Sequence, residues 1–204
     1  MPWLEYCRYQ HRGYCDYQSP SAATSIPGFK LIDYETRKLS RHREQVDYVA
    51  LSYPFITKPA ARVIEDVIAV TRTLGFKYLW IYRYCISQID DIIQRAQNTR
   101  MHEIYADAAL TIVAAAGEDP MYGLPSVSLT PRQPQPCVDI GDTDLVTLLR
   151  SPREIVMSSK WASRGWAFQE ARLSRWLLFF TDDQILFECA LMSCQEAVLI
   201  PLEA

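Results

Sequence analysis

Glycine is scarce, seven residues in 204, and none of the seven sits in GxGxxG, in GxxxxGK followed by Ser or Thr, or in GxSxG. The glycine-built phosphate cradles and the serine nucleophile elbow are thereby excluded. Histidine is scarcer. His11, His42 and His102 have no sequence neighbours that would complete a triad, and HExxH does not occur. No apolar run is long enough to span a bilayer, and the start, MPWLEYCRYQ, lacks the apolar core of a secretory signal. The net charge is −3 and no basic stripe interleaves with aromatics, which argues against nucleic acid as a partner; Arg37 to Arg43 is a short solvated cluster. CxxC spacing is also missing. Cys7, His11 and Cys15 form one loose group, and Cys189 and Cys194 another. Zinc would require both groups to meet in space, so no metal site is expected. Cys85, inside an apolar run, reads as a core residue. The expected setting is reducing and cytoplasmic.

What is present suffices for one domain with a sizeable core: 49% of residues are apolar and 12% aromatic. Residues 1–28 show no periodicity and read as an irregular leader; 29–204 read as the domain. FKLIDY (29–34) is a candidate strand, and YVALSY (48–53) a strand that stops at Pro54. A helix is expected from Pro59, with Ile64, Val67, Ile68 and Leu74 on one face and Gly75 ending it. A strand over Tyr78–Ile86 follows, then a helix over Gln94–Ala108 buried through Met101, Ile104, Tyr105 and Ala108. The next strand is Leu110–Ala115. Residues 118–158 hold a proline-rich surface connection with a strand pair at Asp139–Leu149. A helix over Gly165–Leu173 and two strands, Trp176–Phe180 and Gln184–Cys189, complete the reading. The alternation implies an α/β fold: a doubly wound, mainly parallel sheet with helices on both faces and an extra β-hairpin near the C-terminus. The chain stops at PLEA with no terminal cap, as expected of a domain cut from something larger.

The chemistry concentrates in Ser159–Leu173, SKWASRGWAFQEARL. Trp166 precedes Glu170 by four residues, which on a helix puts indole and carboxylate on one face. An aromatic wall raises a carboxyl pKa and neighbouring arginines lower it; a catalytic acid and a structural ion pair both fit this pattern. In open α/β sheets ligands gather beyond the carboxyl ends of the strands. Those ends carry Ser52, Tyr53 and Pro54, then Tyr82 and Arg83, then Ala116 and Gly117, so a crevice is expected there.

Taken together, YVALSY, IEDVIAVTRTLGFKYLWI, CISQ, MHEIY, LTIVAAAGEDPMYGLP, SKWASRGWAFQEARLS and FTDDQILFEC resemble the fungal heterokaryon-incompatibility (HET) domain over about residues 29–203. The resemblance implies an intracellular protein of filamentous fungi acting in non-self recognition and programmed cell death through self-association, with protein partners or a second copy of itself. HET domains are remote relatives of TIR domains, whose core is flavodoxin-like and some of which cleave NAD with one glutamate in a Trp-x-x-x-Glu helix. On that likeness Glu170 would be catalytic, Trp166 would wall the pocket, and Arg164 would pair with Glu170 or a pyrophosphate; Ser52, Tyr53, Tyr82 and Arg83 would line the ligand site. NAD would be a substrate, and no resident cofactor is implied. The sequence departs from the family at three places near that site. Ser52-Tyr53-Pro54-Phe55-Ile56 replaces Ser-Tyr-Val-Trp-Gly, Trp80-Ile81-Tyr82 replaces Trp-Ile-Asp, and Cys85-Ile86-Ser87-Gln88 replaces Cys-Ile-Asp-Gln. A copy that keeps the fold but has lost activity is the remaining alternative.

Overall fold

The computed structural model describes residues 2–15, 22–54, 61–132, 134–147 and 149–198. The chain opens with helix α1 (Pro2–Gln10), then forms a short hairpin of β1 (Leu31–Asp33) and β2 (Lys38–Ser40). The Asp33 carboxylate closes this hairpin by accepting the Glu35 and Thr36 amides at 2.9 and 3.1 Å. Strand β3 (Tyr48–Ser52) leads to α2 (Ala61–Thr73), β4 (Tyr78–Ile81) and the single helical turn α3 (Tyr82–Cys85). Helices α4 (Asp91–Thr99) and α5 (Met101–Asp107) precede β5 (Leu110–Ala114). An outlying hairpin, β6 (Cys137–Ile140) and β7 (Thr143–Val146), follows. The chain continues through α6 (Pro152–Ser158), α7 (Ala167–Leu173), β8 (Trp176–Phe180), β9 (Ile185–Cys189) and β10 (Ser193–Gln195).

Eight strands form one sheet in the order β10-β9-β8-β5-β3-β4-β1-β2. Only the middle four, β8-β5-β3-β4, run parallel; the strands on both flanks are antiparallel. The sheet is thus mixed rather than mainly parallel. Apolar runs carry no direction, and the flanks are formed by short antiparallel strands that such runs do not distinguish from parallel ones.

Alternation along β3 sorts the helices to the two faces. Val49 and Leu51 join Val63, Ile64 and Val67 of α2, with Leu4 and Cys7 of α1, on one face. Ala50 and Trp80 meet Met101, Ile104 and Tyr105 of α5 on the other, where Val113 and Phe179 also pack against Trp161 and Ala167. Helix α2 ends where the glycine signal put its end. Gly75 adopts φ 78°, its amide bonds to the Arg72 carbonyl at 3.0 Å, and the Phe76 amide reaches back to Thr71 at 3.1 Å, a paired C-terminal closure that needs a left-handed residue. Its expected start, Pro59, lies outside the described residues.

Four local expectations are corrected. Residues 2–10 are helical, with Leu4 and Cys7 buried; the helix is too short for a clear period, and its burial comes from tertiary packing. The run at Tyr78–Ile86 is strand only to Ile81 and then turns helical, since a short apolar stretch fits either state. The helix over 94–108 is two, broken at Arg100 (φ −106°, ψ 17°), and α4 is capped by Asp90, which accepts the Ile92 and Ile93 amides at 3.0 and 3.1 Å. The connection after Gly117 is not wholly at the surface. Leu124 is fully buried, and its amide donates to the buried Asp66 of α2 at 2.8 Å.

Because α1 contributes to the main core, Leu4→Ala is expected to lower the free energy of unfolding by about 2–5 kcal/mol in a denaturant titration. Burial raises the Cys85 thiol from 9.0 to about 12. The unfolded chain loses this proton from about pH 9 upward and the folded chain keeps it to about pH 12. Stability should therefore fall across that interval, by up to ~1.4 kcal/mol per pH unit from this group. Urea titrations at rising pH would show a shallower fall in Cys85→Ala.

Candidate functional site at the carboxyl ends of the parallel strands

Ser52 is the last residue of β3, in register with Val113 of β5, while its neighbour Leu51 pairs with Ile81 of β4. The ends of three parallel strands therefore lie level. The segment before α7 folds over this edge through two tight turns, with the Arg164 amide on the Trp161 carbonyl at 3.2 Å and the Ala167 amide on Arg164 at 3.2 Å. Trp161 is thereby driven into the core against Phe179, ring centroids 5.7 Å apart and nearly perpendicular.

These turns assemble a buried polar cluster. The Trp161 indole N–H donates to Ser52 Oγ at 2.5 Å, and Ser52 Oγ donates to Glu170 Oε2. Arg164 grips both carboxylate oxygens, Nη2 to Oε1 at 2.9 Å and Nη1 to Oε2 at 3.3 Å. The Glu170 side chain is 3% exposed and that of Arg164 23%. Tyr105, from α5, lies against the same carboxylate. Burial first, and then the negative charge of Glu170, hold its hydroxyl far above the usual phenol range, so it stays protonated. Burial likewise pushes the Tyr53 hydroxyl up to about 12, against the pull of the Arg83 charge.

Beside the cluster opens a cavity of about 270 Å³ whose wall includes Tyr53, Tyr82, Tyr105, Arg164, Trp166 and Glu170, with Asn98 and Met101 from the helices opposite. The structure thus brings five of the seven residues marked in the sequence, Glu170, Trp166, Arg164, Tyr53 and Tyr82, to one cavity. Ser52 does not line it; it stands behind Glu170 and holds the carboxylate in place. Arg83 does not line it either and acts on it through its charge at Tyr53. Trp166 does line the cavity but is 52% exposed, so the enclosed indole of the segment is Trp161. Sequence reasoning missed Trp161, Tyr105 and Asn98 as members of the site. Tyr105 was visible only as part of a buried helical stripe, because nothing local says what such a stripe faces.

A second cluster lies elsewhere. Cys7, His11, Cys15 and Cys189 present ligand atoms that all lie within 4.8 Å of one another. The condition set by the sequence, that the N-terminal and C-terminal groups meet, is fulfilled for these four. Cys194 is buried nearby but is not part of the four.

Fold and site together define an α/β domain with a fixed, ion-paired carboxylate at the carboxyl edge of its parallel strands. The chain belongs to the heterokaryon incompatibility family: the family described as "Heterokaryon incompatibility protein (HET)" matches residues 33–170. No curated protein and no solved structure matches it. The matched span holds β3, β4, β5 and the whole Trp161–Arg164–Glu170 cluster. Among the described residues no helix is long and apolar enough to cross a membrane.

Removing the charge of Arg164 alone would strand a buried carboxylate. Arg164→Met is expected to cost about 3–5 kcal/mol of unfolding free energy, and the double variant Arg164→Met/Glu170→Leu to recover most of it. Chemical denaturation of the wild type, both single variants and the double variant measures this coupling.

Proposed function

We propose that this chain acts in fungal non-self recognition, as a cytoplasmic effector of programmed cell death switched on by self-association. The family match over residues 33–170 carries the reading. Support for self-association comes from the start of α7, where Phe168 is 75% exposed and the preceding Trp166 52% exposed. The parallel core β4-β3-β5-β8, wound outward from β3 to both sides with helices on opposite faces, supports a doubly wound, flavodoxin-like and TIR-like kinship.

One observation favours a second, enzymatic reading on the same domain: Glu170, held by Arg164, forms part of the wall of a cavity shared with aromatic side chains. A cavity of this size suits the nicotinamide–ribose end of NAD better than the whole dinucleotide. In that reaction the bond between ribose C1′ and the nicotinamide nitrogen breaks, and its electron pair leaves with nicotinamide. Water adds to C1′ and gives up a proton, yielding ADP-ribose. A preorganised carboxylate stabilises the positive charge that develops at the ribose, and Tyr82 and Trp166 supply stacking surface for the leaving ring.

Incubating the purified chain with NAD, dilute and as a concentrated or cross-linked oligomer, tests both readings. Nicotinamide release that rises with association and falls at least 100-fold in Glu170→Gln is the expected result. Release unchanged by that substitution would remove Glu170 from the chemistry. No release from a demonstrated oligomer would overturn the enzymatic reading and leave the interaction module. A chain that stays monomeric by light scattering at every concentration would overturn self-association.

A further inference from the structure

We propose that Cys7, His11, Cys15 and Cys189 form a structural zinc site that clamps α1 to the turn between β9 and β10. Three of the ligands recur at intervals of four. Past the end of α1 the chain turns at Gly13 (φ 84°), with the His11 amide on the Cys7 carbonyl at 2.9 Å and the Cys15 amide on the His11 carbonyl at 3.0 Å. The helix end and this turn together bring the side chains of Cys7, His11 and Cys15 to one place. The fourth ligand arrives from the far end of the chain. Cys189 ends β9, and its amide bonds to the Met192 carbonyl at 2.9 Å in the tight turn that leads into β10.

The distances fit a single ion. A tetrahedral zinc with Zn–S of about 2.3 Å and Zn–N of about 2.0 Å has sulfur–sulfur edges of about 3.8 Å and nitrogen–sulfur edges of about 3.5 Å. The four ligand atoms all lie within 4.8 Å of one another, and His11 Nδ1 stands 3.5 Å from Cys189 Sγ. Contraction by at most about 1.3 Å per edge completes the shell. A cluster of several irons needs a wider spread of ligands, and three thiolates select against magnesium and calcium. With all four positions taken by the protein, the site is closed and therefore structural rather than catalytic.

Two further contacts suit a metal rather than a group of idle core thiols. The Trp176 indole N–H donates to Cys7 Sγ at 3.2 Å, the outer-shell bond that a metal-bound thiolate takes. The His11 ring packs edge-on against Tyr6, centroids 5.9 Å apart, which orients it. Cys7 and Cys15 are buried while His11 and Cys189 are half-buried, so one side of the shell is open to metal arriving from solvent. Binding takes up one Zn²⁺, deprotonates three thiols and keeps a neutral imidazole.

The test is elemental analysis and native mass spectrometry of the complete chain, prepared without a histidine tag from zinc-supplemented cells. One zinc per chain is expected, at the mass of the polypeptide plus zinc less two hydrogens. Cys189→Ser should hold less than a tenth of an equivalent, whereas Cys137→Ser, in the exposed β6–β7 hairpin, should hold a full one. Cobalt exchanged into the wild-type chain should show the visible bands of tetrahedral thiolate coordination, a readout that does not depend on any variant folding. Absence of zinc and of cobalt bands in the folded wild type would overturn the proposal. So would a mass two hydrogens low from a disulfide, or full zinc retention in Cys189→Ser.

Discussion

A carboxylate buried to 3% exposure at the end of a parallel sheet costs several kcal/mol to desolvate, and how this chain offsets that cost shapes everything around it. Glu170 takes a two-pronged grip from Arg164 and a hydroxyl from Ser52. Ser52 in turn is fixed by the Trp161 indole. Three of these residues come from one stretch of fifteen, and the fourth is the last residue of β3. The bond between Ser52 and Glu170 spans 118 positions of sequence. It is what ties the segment after the long connection to the centre of the sheet. Arg164 reaches its partner only because two tight turns precede α7. The turns, the burial of Trp161 and the ion pair therefore stand or fall together.

The sheet supplies the other half of the constraint. Register sets Ser52 level with Val113 and one step beyond Ile81, so whatever follows these strands meets at one edge. After β4 the chain coils at once into the turn Tyr82–Cys85, whose Cys85 sulfur accepts the Ile81 amide at 3.4 Å. That coil carries Tyr82 over the cavity. A strand continuing to Ile86 would have run past it. Antiparallel flanks leave this edge intact, because β1 and β9 pair with the outer strands of the parallel core, β4 and β8, and neither comes between β3, β4 and β5.

How much of this was legible follows from which signals are local. The central strands and α2 with its Gly75 closure were readable, since alternation, helical period and a glycine terminator are written in neighbouring residues. Glu170, Arg164, Trp166, Tyr53 and Tyr82 could be gathered because a general rule places ligands at strand ends. What escaped is what depends on distant partners. Ser52 read as a ligand contact and is a buttress. Arg83 read as lining, lies outside the cavity wall and bears on it through its charge at Tyr53. Trp161 stood in the same segment as Trp166, yet spacing alone favoured Trp166, which is the exposed one. The direction of the flanking strands and the meeting of Cys189 with Cys7, His11 and Cys15 are likewise properties of topology that no spacing rule contains.

The engagement of Glu170 also bears on what the cavity can do. An ionised carboxylate accepts about four hydrogen bonds, and Ser52 and the two Arg164 nitrogens take three. Tyr105 acts on the same group as a protonated phenol. These bonds fix the direction of the carboxylate at the cavity wall. On the enzymatic reading proposed above, the role that fits such a fixed carboxylate is electrostatic, countering positive charge on the ribose without covalent attack. A ligand bearing its own anion would compete for Arg164, the more exposed member of the pair. Loosening that grip would strengthen the field of Glu170 at the moment of binding. On that reading the same ion pair that holds the segment before α7 would also be the route by which an anionic ligand at Arg164 reaches the carboxylate.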